Sequence, residues 1–145
     1  MCQLIYLGSS TDVDELPFDT EKPGFYYKRL SFDDSQYNSV LKLLDQPFLY
    51  FIGGSGGCSC TLSYTEPWEN APELNAEREV AISEVAKMLE FLSAQLKRSE
   101  LRLLCTWWDV PVEEIKPMDW DQLIPGEQDF QFPLDHVLRL CATKP

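Results

Sequence analysis

The chain has 145 residues, 44% hydrophobic and 12% aromatic, with a net charge of −12 and a pI of about 4.4. That length suits one domain over residues 1–145 able to bury ~70% of its unfolded surface, and the aromatic content excludes a disordered chain. The acidic excess argues against direct contact with nucleic-acid phosphates or an anionic membrane surface, and favours a basic or neutral partner. Residues 1–50, 51–100 and 101–145 each carry eight acidic and four basic residues, so charge marks neither a tail nor a domain boundary.

The start, Met1, Cys2, Gln3, Leu4, Ile5, Tyr6 and Leu7, lacks the basic segment of a signal peptide and reads as a first strand over residues 2–7. Residues 9–23 are rich in Ser, Thr and Asp and end in Pro23, which predicts a loop, followed by a second strand over 25–30. Ser31 or Asp33 is placed to cap a helix whose apolar stripe is Tyr37, Val40, Leu41 and Leu44. Gln46 and Pro47 end it, because the residue before proline avoids helical backbone. The unbroken apolar run over 48–52 predicts a central strand covered on both faces.

After an irregular stretch, Asn75 opens the clearest helical pattern, with Ala81, Val85, Met88, Leu92 and Leu96 on one face. Glu77 and Glu79 fall in its first turn, Lys97 and Arg98 in its last. Residues 101–108, 130–132 and 137–141 read as further strands, and the prolines at 111, 117 and 125 predict loop between the first two of these. The order implies an α+β fold: a mixed β-sheet with two main helices packed on it. No apolar run approaches the ~20 residues of a membrane span. Five cysteines cannot all pair within the chain, which leads us to expect free thiols and a cytoplasmic setting.

The most unusual segment follows the central strand: Gly53, Gly54, Ser55, Gly56 and Gly57, then Cys58, Ser59 and Cys60. So many glycines imply positive φ or close approach of the backbone to something else. In an extended segment Cys58 and Cys60 point to the same side, and Cys2 and Cys105 lie on strands that would place them nearby. Four converging thiolates would suit zinc, which takes four soft ligands in a tetrahedron. The chain nevertheless lacks the paired Cys-x-x-Cys motifs of ordinary zinc sites, and buried cysteines also serve as small hydrophobes. Thiol redox chemistry at the same tract is the related alternative.

In these residues the chain resembles a family of small bacterial proteins without an established activity. The resemblance rests on Met1 and Cys2 opening the first strand, on Gly57, Cys58, Ser59 and Cys60 closing the tract, and on Cys105, Thr106 and Trp107 in a later strand. Family members often carry a His in the tract where this chain has Gly54, Ser55 and Gly56, so a ligand or base is missing here. The resemblance implies where a site lies and nothing about its chemistry.

Gly53, Gly54, Ser55, Gly56 and Gly57 also satisfy Gly-x-Ser-x-Gly, and Asp109 and His136 follow in the order of a serine hydrolase triad. That reading requires a helix directly after Ser55, which residues 57–67 do not predict. No Gly-Lys-Ser/Thr follows the glycines, which excludes a phosphate loop of the usual kind.

From Asp109 to Asp135 there are eight acidic residues and one basic residue, Lys116. Trp108, Asp109, Glu113, Glu114, Asp119, Trp120 and Asp121 form one acidic, aromatic surface candidate, and Trp68 among Glu66, Glu69, Glu73, Glu77 and Glu79 forms another. Tryptophans set among carboxylates suit an interface with a basic protein, although core tryptophans with a solvated acidic rim read the same way. The sequence therefore favours an acidic protein-binding module, inhibitor- or immunity-like, over an enzyme.

Overall fold

The computed structural model describes residues 2–107, 118, 119, 129–134 and 136–140. Its elements in chain order are β1 (Gln3–Ser9), β2 (Tyr26–Arg29), α1 (Tyr37–Leu44), β3 (Phe48–Gly53), a 3-10 turn (Ser59–Thr61), α2 (Pro72–Leu96), β4 (Leu101–Trp107), β5 (Met118–Asp119) and β6 (His136–Leu140). The strands form one six-stranded sheet in the order β2-β3-β1-β4-β6-β5. Among the described strands β1, β2, β3, β4 and β6 pair antiparallel, while the two-residue β5 runs parallel to β6 and a single parallel bridge joins Cys105 of β4 to Leu134, so the sheet is mixed. The fold is thus α+β, with both helices packed on the sheet.

The helices lie on opposite faces. Residues on alternate positions of each strand point to opposite sides, and the core divides accordingly. Ile5, Leu7, Tyr50, Ile52, Leu101 and Leu103 meet Val85, Met88 and Leu92 of α2. Leu4, Tyr6, Leu49 and Leu104 meet Val40 and Leu44 of α1. This explains why β1 reads as nearly continuous apolar sequence and why all seven of its residues are buried. The covers are unequal: α2 has 25 residues and spans ~37 Å, whereas α1 has eight and spans ~12 Å.

Several boundaries differ from the sequence expectation. Helix α2 begins at Pro72, with Ala71 as its N-cap, one turn before Asn75. Proline has its φ preset for a first helical position and lacks the N–H that would go unbonded there. Asn75 instead turns its amide back to Trp68, accepting from its N–H and donating to its carbonyl, both at 2.9 Å. Lys97 and Arg98 fall beyond the last helical residue.

Neither Ser31 nor Asp33 caps α1. Gln36 holds the N-cap position, while Ser31 and Asp34 bond one another in a turn upstream. At the other end Asp45 adopts left-handed backbone (φ 49°) just before Gln46 and Pro47. The expected strand over 130–132 is a single antiparallel bridge between Phe130 and Tyr64. Pro133 has no N–H with which to extend a ladder.

Candidate functional site

The glycine tract turns the chain out of β3 and back toward the sheet. Gly57 N–H donates to the Gly54 carbonyl at 3.0 Å, and Gly54 N–H to the Cys58 carbonyl at 2.8 Å. Three glycines have distinct physical reasons. Gly57 has φ +77°, which side chains resist. A Cβ on Gly53 would lie 2.4 Å from the Tyr26 ring, whose hydroxyl donates to the Gly57 carbonyl at 2.8 Å. A Cβ on Gly54 would lie 1.9 Å from Thr61 Oγ1 and 2.4 Å from Glu84 Oε2.

Glu84, on α2, is 3% exposed and is the charged side chain that fixes this turn. Its carboxylate accepts from Ser55 N–H at 3.1 Å and from the Thr61 hydroxyl at 2.7 Å. A buried carboxylate needs such donors, and only a glycine backbone at 54 lets it come this close. The amide of Ser55 is therefore engaged by the protein's own carboxylate. It is not free to hold a phosphate or the oxyanion of an acyl-transfer intermediate.

Ser59 is fully buried and joins the strands where they diverge, donating to the Ile52 carbonyl at 2.5 Å and accepting from Ile5 N–H at 2.9 Å. The next residue continues the substitution: Cys60 Sγ accepts from Gln3 N–H at 3.4 Å. Segment 58–60 thus takes the place of β3 beside the start of β1.

Burial, opposed by the Gln3 N–H and reinforced by the nearby Cys58 and Cys2, pushes the Cys60 thiol up to about 11. Cys58 and the exposed Cys2 open onto a recess of about 350 Å³ on the α1 face, where that short helix leaves the sheet bare. Tyr6, Tyr26 and Phe51 line it, with Lys28 and Asp34 beside them. Cys60 lines a separate, smaller recess of about 230 Å³ with Tyr64, Trp68 and Leu74.

The expected zinc centre of Cys2, Cys58, Cys60 and Cys105 is not assembled. Among the described residues no three His, Cys, Asp or Glu side chains are arranged to hold a metal ion. The physical reason is that the strands deal the sulfurs to different surroundings. Cys105 is fully buried in the α2-side core with the Gln3 side-chain amide on its sulfur, while Cys2 is exposed at the recess.

The hydrolase arrangement is also missing its helix. Ser55 is followed by a turn and three residues of 3-10 helix, and α2 starts only at Pro72. His136 Nδ1 is in contact with the Leu134 carbonyl at 2.5 Å. Asp109 lies outside the described residues.

Of the acidic, aromatic candidates, Trp108, Asp109, Glu113, Glu114, Trp120 and Asp121 also lie outside the described residues, and Asp119 is described only as backbone in β5. Trp68 is described and is 59% exposed, with exposed Glu66, Glu69, Glu73 and Glu77 in the same stretch. Its backbone is held by the two Asn75 bonds. Arg78, the one basic residue between 61 and 86, is turned inward: its Nε donates to the Thr65 carbonyl at 2.6 Å and its guanidinium lies over the Tyr64 ring.

Two residues escaped the sequence reading. Glu84 interrupts the apolar stripe of α2 between Ala81 and Val85, and a charge on a buried stripe is the signal that marks it. Ser59, between two cysteines, carries no comparable signal. Among the described residues no helix is long and apolar enough to cross a membrane. Comparison of the chain with known protein families, with curated proteins and with solved structures finds no match.

Proposed function

We propose that this is an acidic protein-binding module, inhibitor- or immunity-like, that docks a basic protein through the surface around Trp68. The observation that carries the reading is a tryptophan 59% exposed on a backbone pinned by Asn75. An indole presented this way loses little conformational freedom on binding. The four exposed glutamates nearby supply the negative field, and the small recess beside Leu74 and Tyr64 gives room for a side chain. The complementary group is an Arg or Lys stacked over the indole, an interaction of about 0.5–2 kcal/mol, with the carboxylates raising the association rate. The turned-in guanidinium of Arg78 leaves the outer surface to the acids. That Cys2, Cys58, Cys60 and Cys105 are not disulfide-bonded supports a reducing, cytoplasmic setting.

The test is an NMR titration of the uniformly labelled chain with an Arg/Lys-rich peptide and with an acidic peptide of equal length. A saturable shift of the Trp68 indole N–H with the basic peptide, suppressed by salt and abolished by Trp68→Ala, is expected. Equal response to both peptides, or shifts confined to residues away from Trp68, Glu73 and Glu77, would overturn the reading.

A further inference from the structure

The second surface of interest is the end of the sheet on the α1 side, where Cys58 borders the larger recess while Cys60 borders the smaller one beside Trp68. Cys58 and Cys60 are one residue apart, with Cys58 extended (φ −136°, ψ −179°) and Ser59–Thr61 wound into a 3-10 turn. That turn folds the backbone between the two cysteines back. A 3-10 turn rises ~2 Å per residue against ~3.3 Å in a strand, so it draws positions 58 and 60 together toward the spacing a disulfide takes, about 4.4–6.8 Å. Cys58 lies near enough to Cys60 to raise the latter's thiol. Neither sulfur is fully buried, and Cys58 faces the open recess of about 350 Å³.

From this geometry we infer that Cys58 and Cys60 form a reactive dithiol site for low-molecular-weight disulfides, with Cys58 as the attacking sulfur and Cys60 as the resolving one. The recess suits the substrate. Tyr6, Tyr26 and Phe51 present apolar surface for the thiol stem, and Lys28 offers a cation to a carboxylate such as those of glutathione-type disulfides.

The reaction is an exchange. The Cys58 thiolate, its proton given to solvent, attacks one sulfur of R–S–S–R. A Cys58–S–S–R bond forms and the R–S–S–R bond breaks, releasing RS⁻, which takes up a proton. Cys60 then loses its proton and attacks Cys58 Sγ, so that the Cys58–Cys60 bond forms and the second RS⁻ leaves and is protonated. Two protein thiols are oxidised by two electrons and the small disulfide is reduced to two thiols.

The fixed surroundings favour this pairing over the alternatives. Ser59 is tied to both Ile52 and Ile5, and the Cys58 carbonyl accepts from Gly54 N–H, so the backbone on either side of Cys58 is held. Gln3 N–H on Cys60 Sγ steadies the resolving sulfur beside it. Because burial and its neighbours hold the Cys60 thiol at about 11, it stays protonated at neutral pH and is the slower nucleophile of the two steps.

The experiment uses the full chain, reduced, desalted and incubated with oxidised glutathione at pH 8, then digested with trypsin. Residues 43–78 form one tryptic peptide carrying both Cys58 and Cys60 but not Cys2. Loss of two hydrogens within that peptide, reversed by dithiothreitol, is expected. Cys60→Ser should trap glutathione on Cys58, and Cys2→Ser should leave the internal bond unchanged. A peptide cross-linked to Cys2, glutathione retained on Cys58 in the unaltered protein, or thiols that stay reduced while Cys2 alone is modified would each overturn the proposal.

Discussion

The two faces of the sheet differ in how completely a helix covers them, and that difference separates structural from accessible chemistry. On one face α2 runs past the whole glycine turn, and its Glu84 is sealed between Ser55, Thr61 and Gly54. On the other, α1 is eight residues long and stops short, so Cys58, Cys2, Tyr26 and Lys28 border an open recess. One turn therefore has a locked side and an open side. A polar group under the long helix is satisfied by the protein itself, whereas a polar group beyond the short helix meets whatever arrives from solvent.

The strongest way to break this comparison is in the α2-side core. Leu92→Ala removes a fully buried side chain and should lower stability by about 2–5 kcal/mol in chemical denaturation. A loss well under that range would mean α2 does not seal its face.

Next in size is the Glu84 clamp. Glu84→Ala leaves Ser55 N–H and the Thr61 hydroxyl without their acceptor and should cost about 1–3 kcal/mol. Gly54→Ala should cost as much through its clash with Thr61 and Glu84, and less once Glu84 is already alanine. Additive losses in the double variant would show that the two groups do not share one contact.

On the open face the expected effect is a pH dependence. Burial, and secondarily the charge of Asp34, pushes the Tyr6 hydroxyl from 10.0 up to about 12. The folded chain holds this proton more tightly than the unfolded chain. Its contribution is complete below pH 10 and is lost as pH rises from 10 toward 12. Denaturation midpoints should fall through that window, and Tyr6→Phe should flatten the fall. Superimposable alkaline limbs for the two proteins would exclude Tyr6 as a source. Tyr26, Tyr27 and Tyr50 shift in the same direction, so part of the slope should survive.

The smallest stability effect belongs to Trp68→Ala, which should stay within about 0.5 kcal/mol because the side chain is largely in solvent. Binding of the basic peptide should nevertheless be lost. A large destabilisation would place Trp68 in the core and remove the docking surface.

Much of the fold was readable because the decisive signals are local. The stripe of Tyr37, Val40, Leu41 and Leu44 and the stripe of Ala81, Val85, Met88 and Leu92 declare two helices by their own spacing. The run over 48–52 declares a strand buried on both sides. The glycines between 53 and 57 announced an exacting turn by composition alone. What no local pattern contains is the partner of each group. That Gly54 is glycine because of Glu84, thirty residues later, depends on α2 crossing that side of the sheet. That Cys58 and Cys60 stay near one another while Cys105 is sequestered depends on which strand leaves β1 and which stays. Spacing along the chain sets which side chains share a face, whereas contact across the sheet is settled by strand order and by the reach of each helix. For that reason the four-sulfur metal centre expected from sequence resolved into a buried thiol, an exposed one and a neighbouring pair.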